Sequence, residues 1–520
     1  MCIKRHSKLT FRGSRIAHNS IMTKKLTPIF TLALCLVSVG LWGQSTTVLS
    51  PAQAQEDLNT LRFALEYTHP RLYKYEDRAT FSHRWDSAYA TLTEEISGMD
   101  FLRMVSQLNA QVNCGHLYTI AQATLREELT RRKVLPFYVK LSNEGIFLFD
   151  DCSAGAPIPN GSRLLTINGR TAEDVLAQIL TGIPSDGLIE TRKRRLADQY
   201  NNTLIKGFDL YYYLYVDRSE VFEIGYQEYA TGEIRQIRKE GMTLENRRNA
   251  LQALHGKDQR SWYSTPSPRF QLNEELNYAL LTLSRSFYDP KVDPNYDSLL
   301  QAAFAQLQEK DVGHLIIDLR DNEGGSEHQE MELISYLSDQ PYKLYAHILQ
   351  SHLDWRPLKS VIMERDTSQL VFNNDDEYMR RLSGDLWINN YEYDRNLQLQ
   401  PPKATTFQGQ VYVLINGGTF SSAADLAGAI KKTTKAVFIG EEAGGTFEGP
   451  TGGISMVVQL PHSEIMVRIS PNTHLSYQYQ QHPIGSGVLP DYEILYTAED
   501  WVEGKDLEIE KALELIQQGK

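Results

Sequence analysis

The chain has 520 residues, 41% of them hydrophobic and 23% charged, with a formal net charge of -12. Such a length exceeds one ordinary domain, and such a composition suits a globular chain with sizeable cores. The acidic balance argues against non-specific nucleic-acid binding, which needs a basic face to neutralise phosphates.

The N-terminus reads as an address rather than as fold. Met22-Thr23-Lys24-Lys25 precedes an apolar run over 26–42, and Gly43-Gln44-Ser45 follows before the chain turns polar. A basic start, a short apolar core and small residues at its end predict a secretory signal peptide over 1–44, with Met22 as an alternative start. A membrane anchor is the competing reading; Pro28 interrupts the run, which is at the short end for spanning. Cys35 follows Leu34 and lies inside the run, so it is not read as a lipidation site. The mature chain is expected to be periplasmic or secreted, with no membrane span. Cys114 and Cys152 remain in it, and sequence does not place them together.

Over 45–132 the apolar residues keep helical spacing, as in Leu58, Leu61 and Leu65 and again in Phe101, Met104 and Leu108. This predicts a helical N-terminal domain, ending near Cys114-Gly115-His116-Leu117-Tyr118. Over 133–240 the texture changes to strands. Two apolar runs flank Ser142-Asn143-Glu144-Gly145, a hairpin signal, and strands are also expected over 208–215 and 221–226. Gly161 to Gly169 followed by a helix over 172–179 is similar to the second half of a PDZ domain, a module that captures an extended peptide as an added strand. An ordinary strand-helix unit with an Asn-Gly turn is the alternative. Residues 241–267 read as a polar linker. From 268 to the C-terminus, strands over 279–283, 315–319, 411–415 and 436–440 alternate with helices over 296–309, 331–337 and 422–432. That alternation predicts a layered α/β core with a mostly parallel sheet. Residues 342–404 read as an irregular insertion, and 498–518 as one closing helix.

Two turns carry chemistry. Leu414-Ile415-Asn416-Gly417-Gly418-Thr419-Phe420-Ser421-Ser422 runs from a buried strand through a tight turn into a helix. A serine there meets free N–H groups and the positive end of the helix dipole, which suits a nucleophile; an ordinary N-cap is the structural alternative. His314-Leu315-Ile316-Ile317-Asp318 ends in Asn322-Glu323-Gly324-Gly325, where glycines let backbone approach a substrate. No HExxH, P-loop or zinc-spaced cysteine pair is present, so no metal or cofactor is expected.

These motifs, in this order, with Ile439-Gly440-Glu441-Glu442-Ala443-Gly444-Gly445 and Gly487-Val488-Leu489-Pro490-Asp491 after them, resemble the serine peptidases that include the C-terminal processing and tricorn-type enzymes. The resemblance implies a ClpP/crotonase-like α/β core and cleavage of peptides or unfolded proteins through an acyl-enzyme. It implies Ser422 as nucleophile, three residues before Asp425, with Ser421 as the alternative. Gly324, Gly325 and Ala423 would supply oxyanion-hole N–H groups. One branch of the family uses a lysine after the Gly-rich loop, where this chain has Thr446; the tricorn-like branch takes a histidine from the N-terminal region, which here is His116. The third member in that branch is a glutamate just before the late Gly-Val motif. Pro483-Ile484-Gly485-Ser486 holds no acid, which leaves Glu442, or else Glu448, as the candidate. Glu441 is expected to stabilise the turn. Two rival readings follow: a non-hydrolysing binder of peptides or lipophilic ligands on the same fold, and an esterase using the same Ser-His pair.

Overall fold

Period-two burial organises the central sheet. In strands His314–Asp318 and Gln410–Ile415, Leu315, Ile317, Val411, Val413 and Ile415 point to one face, while Ile316, Tyr412 and Leu414 point to the other. Both faces are covered, which is why these strands read as continuous apolar runs. The computed structural model describes residues 47–198, 207–256, 265–363, 378–477 and 482–519. The segment expected to be a signal peptide lies outside the described residues.

The sheet has six strands in the order Arg269–Asn273, Tyr278–Thr282, His314–Asp318, Gln410–Ile415, Val437–Gly440, Tyr492–Glu493. The first pair is antiparallel and every later pair is parallel. Helices Tyr296–Glu309, Glu327–Leu337 and Ser422–Thr433 pack on one face, and helix Leu507–Gln517 on the other. Each fully buried Leu, Ile or Val here contributes roughly 1.5–3 kcal/mol relative to exposure. Parallel strands end at one edge, so the loops after Asp318, Ile415 and Gly440 share that edge, the usual place for a site in an α/β sheet.

The fold is thus α/β with a helical N-terminal region, as the sequence predicts. Helices Pro51–Thr68, Arg78–Thr91, Gly98–Ala110 and Ala123–Arg131 form that region. It is knitted into the rest rather than hung on it. Buried Asp57 accepts the Ser463 N–H at 2.7 Å and the His462 N–H at 2.9 Å. Strand Tyr118–Ile120 pairs antiparallel with Met466–Ile469, placing Tyr118 opposite Arg468. A second, antiparallel sheet orders Tyr138–Ser142, Gly145–Phe149, Ser162–Ile167, Val221–Gln227 and Ile234–Glu240, with helix Ala172–Leu180 following the Asn168-Gly169 turn.

Four local expectations are corrected. Residues Phe208–Tyr215 form a helix, not a strand: every residue is buried, and a short, mostly aromatic run carries no period to tell the two apart. The supposed linker holds helix Leu244–His255, capped by Thr243 and anchored by a buried Arg247–Asp209 ion pair at 2.6 Å. The supposed irregular insertion contributes strands Tyr345–Ser351, Met379–Ser383 and Leu386–Asn389, which join Asn472–Ser476 in a four-stranded sheet. The closing helix is two, Ala498–Glu503 and Leu507–Gln517. Cys114 and Cys152 are free thiols. Among the described residues, no helix is long and apolar enough to cross a membrane.

Candidate active site

The turn after strand Gln410–Ile415 is built from its own polar groups. Asn416 Oδ1 accepts the Gly418 N–H at 2.9 Å and the Asp321 N–H at 3.0 Å. The Thr419 hydroxyl donates to Leu319 O at 2.9 Å, and the Phe420 N–H donates to Asn322 O at 2.9 Å. The two sheet-edge loops are therefore locked together. At the end of this turn Ser421 sits at φ 54°, ψ -132°, immediately before helix Ser422–Thr433. A non-glycine residue there costs of order 1–3 kcal/mol and persists only where its surroundings over-determine it. A sharp, strained strand-to-helix turn that lifts a serine above the sheet edge is the arrangement known as a nucleophile elbow.

His116 comes from the other end of the chain. It lies between helix Gly98–Ala110 and strand Tyr118–Ile120, and the pairing of that strand with Met466–Ile469 carries it to the elbow. Its Nε2 is 3.0 Å from Ser421 Oγ. Its ring stacks on Phe420, with centroids 4.7 Å apart. Gly115 permits this approach, since a Cβ there would lie 2.7 Å from Phe420 Cζ. Burial, then Arg468, Arg192 and His474, push the imidazole down to about 3, so the ring is neutral. A neutral Nε2 accepting the Ser421 proton places the ring proton on Nδ1.

The structure does not put Ser422 opposite His116. The Ser422 side chain turns inward, is buried, and accepts the Gly325 N–H at 2.7 Å. Asp425, the landmark for the spacing, faces the core and accepts a hydrogen bond from the Tyr345 hydroxyl at 2.7 Å. The expected oxyanion donors are engaged as well: Gly324 N–H to Asn322 Oδ1 at 2.9 Å, Gly325 N–H to Ser422 Oγ, and Ala423 N–H to Phe420 O at 3.2 Å. Among the described residues, no acceptor meets the Ser422 N–H at the helix N-terminus. Gly324 crowds that group at φ 87°; a Cβ there would lie 2.8 Å from Ser422 N and 2.9 Å from Ser421 Cβ.

Neither glutamate candidate reaches the histidine. Glu442 Oε1 accepts the Gly487 N–H at 2.8 Å. Glu448 Oε1 pairs with Lys74 at 2.5 Å and accepts the Gly485 N–H at 3.0 Å. Glu441 lies at the end of its strand, where burial, the largest cause, raises its carboxyl to about 7. The carboxylate nearest His116 Nδ1 is Asp186, at 4.0 Å, on the segment between helices Ala172–Leu180 and Glu190–Asp198. Nothing local marked it: it stands 70 residues past the histidine in a short Ser-Asp-Gly turn. Among the described residues, no group of three or more His, Cys, Asp or Glu is arranged to hold a metal ion.

A serine on a strained elbow, a neutral histidine at hydrogen-bond distance and a free helix N-terminal N–H beside them define the class: this is a serine-type peptidase. Residues 278–494 match the family model described as peptidase family S41, in line with the resemblance to the C-terminal processing and tricorn-like peptidases. No curated protein matches the chain. Among solved structures it is similar to mature CPAF, at 17% identity over 90% of this chain and 97% of that one, with a TM-score of 0.60. Mature CPAF complexed with lactacystin gives 17%, 90%, 98% and 0.60. A putative peptidase from Parabacteroides merdae gives 14%, 90%, 97% and 0.42. At these identities the likeness is one of fold.

Proposed function

We propose that the chain is an exported peptidase that cleaves peptides or unfolded proteins through an acyl-enzyme on Ser421. His116 Nε2 takes the Ser421 hydroxyl proton as Oγ bonds to the scissile carbonyl carbon. The carbonyl oxygen becomes an oxyanion beside the Ser422 N–H, where the helix dipole favours negative charge. The C–N bond then breaks, and His116 returns the proton to the leaving amine. Water repeats the sequence on the ester and frees Ser421. The observation that carries this reading is the 3.0 Å approach of His116 Nε2 to Ser421 Oγ on a residue held at φ 54°.

Peptide-length substrates are supported by the antiparallel sheet, whose outer, largely exposed strand Ile234–Glu240 pairs with a strand on one side only among the described residues, an arrangement to which an extended peptide can add. In this reading the PDZ-like region holds part of the substrate while the elbow cuts another. Export rests on the basic-apolar N-terminal pattern.

The test is to incubate the chain lacking 1–44 with an unstructured protein in the presence of a chelator, and to treat a second sample with a fluorophosphonate. The reading expects cleavage, and a covalent adduct that maps to Ser421 and is blocked by His116→Ala. A folded protein that forms no adduct and cuts nothing would overturn it.

A further inference from the structure

We propose that Asp186 is the positioning residue for His116, a carboxylate supplied by the segment between two helices to hold Nδ1 while Nε2 works on Ser421. The inference rests on the Ser421–His116 reading above.

The geometry begins with two unpaired atoms. His116 Nδ1 and Asp186 Oδ2 are both fully buried, and neither has a hydrogen-bond partner. They face each other at 4.0 Å. Buried polar groups left without partners are costly and uncommon, so two of opposite character pointing at one another form a pair awaiting closure. Nδ1 carries the ring proton if Nε2 accepts from Ser421, so the donor and acceptor senses are right. An approach of about 1 Å makes a charge-assisted hydrogen bond.

Asp186 is also held in place. Its other oxygen, Oδ1, accepts the Gly115 N–H at 2.7 Å, so it grips the residue next to the histidine it faces. The flanking backbone is fixed on both sides: Gly187 N–H donates to Asn113 O at 2.9 Å, and Leu188 N–H donates to Gly485 O at 2.8 Å. The segment that carries the carboxylate is therefore tied both to the histidine loop and to the stretch just before the late Gly-Val motif.

The electrostatics call for an anion here. When His116 takes the serine proton it becomes an imidazolium, and the groups facing it include the charged Arg468 from strand Met466–Ile469 and Arg192 from helix Glu190–Asp198, and the buried His474 from strand Asn472–Ser476, which burial keeps neutral. Two guanidiniums oppose that charge, and the ring is cut off from water. Facing Asp186 are Lys74, Arg192 and Glu448. Burial, the largest cause, raises the Asp186 carboxyl to about 6, so at neutral pH it is ionised beside a neutral ring. That is the resting state a Ser-His-carboxylate constellation requires.

The experiment compares wild type with Asp186→Asn and Asp186→Glu over pH 4–9, with Ser421→Ala and His116→Ala alongside. Asparagine keeps an oxygen for the Gly115 N–H, so the fold should persist, and a thermal melt checks that. Asp186→Asn is expected to lower kcat by roughly 10³–10⁴-fold with little change in KM. Its acid limb should move to lower pH, because the group titrating at about 6 is gone and His116 at about 3 remains. Asp186→Glu should recover part of the rate. Wild-type kcat and an unmoved acid limb in Asp186→Asn would overturn the proposal. So would a loss of rate with an unmoved acid limb and no recovery in Asp186→Glu, which marks a purely structural role. Wild-type turnover in Ser421→Ala or His116→Ala would instead sink the Ser-His reading itself.

Discussion

Adjacent serines with opposite duties give a double dissociation between activity and stability. Ser421→Gly removes the proposed nucleophile and also the backbone strain. Relief of a φ of 54° is worth about 1–3 kcal/mol, and glycine's extra freedom in the unfolded chain offsets about 0.5–1 of it. The net gain is about 1 kcal/mol. With about 2.1 cal/mol/K of unfolding entropy per residue over roughly 440 described residues, 1 kcal/mol corresponds to about 1 °C. Ser421→Gly should therefore melt about 1 °C higher than wild type while losing at least ~10⁴-fold in kcat. Ser422→Ala removes the acceptor of the Gly325 N–H and should melt about 1 °C lower, since such a bond is worth about 1 kcal/mol. It should keep activity within about tenfold, because Ser421 and His116 are untouched. Differential scanning fluorimetry beside turnover of a fluorogenic peptide reads both axes. Full turnover in Ser421→Gly, or abolished turnover with retained stability in Ser422→Ala, would refute the assignment.

Gly324→Ala places a methyl 2.8 Å from Ser422 N at a backbone φ of 87°. It should lower kcat by about 10²–10³-fold, the usual cost of a spoiled oxyanion donor, with KM near wild type in steady-state kinetics. Asp425→Asn tests linkage. Burial, the largest cause, raises the Asp425 carboxyl to about 8, so the folded state holds a proton that the unfolded state releases near pH 4. Wild-type stability from this group is present at acid pH and is lost as pH rises toward 8. Asparagine does not titrate, so the urea midpoint of wild type relative to Asp425→Asn should fall steadily from pH 5 to pH 8. A flat difference would mean that Asp425 is ionised throughout.

Much of the catalytic half was legible because its signals are local. Strand His314–Asp318 and helix Ser422–Thr433 announce themselves by apolar runs and turn residues, and the two Gly-rich turns carry the family resemblance. His116, which the structure sets 3.0 Å from Ser421 Oγ, stands out for the same reason, as a short motif at the end of a helical pattern. What sequence spacing could not supply was direction. Counting back from Asp425 selects Ser422, yet the residue that leaves the helical path is Ser421, and φ is not written in residue order. Asp186 was invisible on different grounds: its partners, Gly115 and His116, are set by tertiary packing across some 70 positions. Helix Phe208–Tyr215 misled because aromatic residues favour strands in isolation, whereas here burial on every side decides.

The small sheet that joins Tyr118–Ile120 to Met466–Ile469 has a temporal meaning. A ribosome makes the histidine early and the serine 305 positions later, and the strand that brings them together later still. A nascent chain lacks the proposed cutting pair until Met466–Ile469 has emerged. A chain truncated between Ser421 and Met466 carries both side chains without the clasp between them. Such a fragment would be harmless to its neighbours.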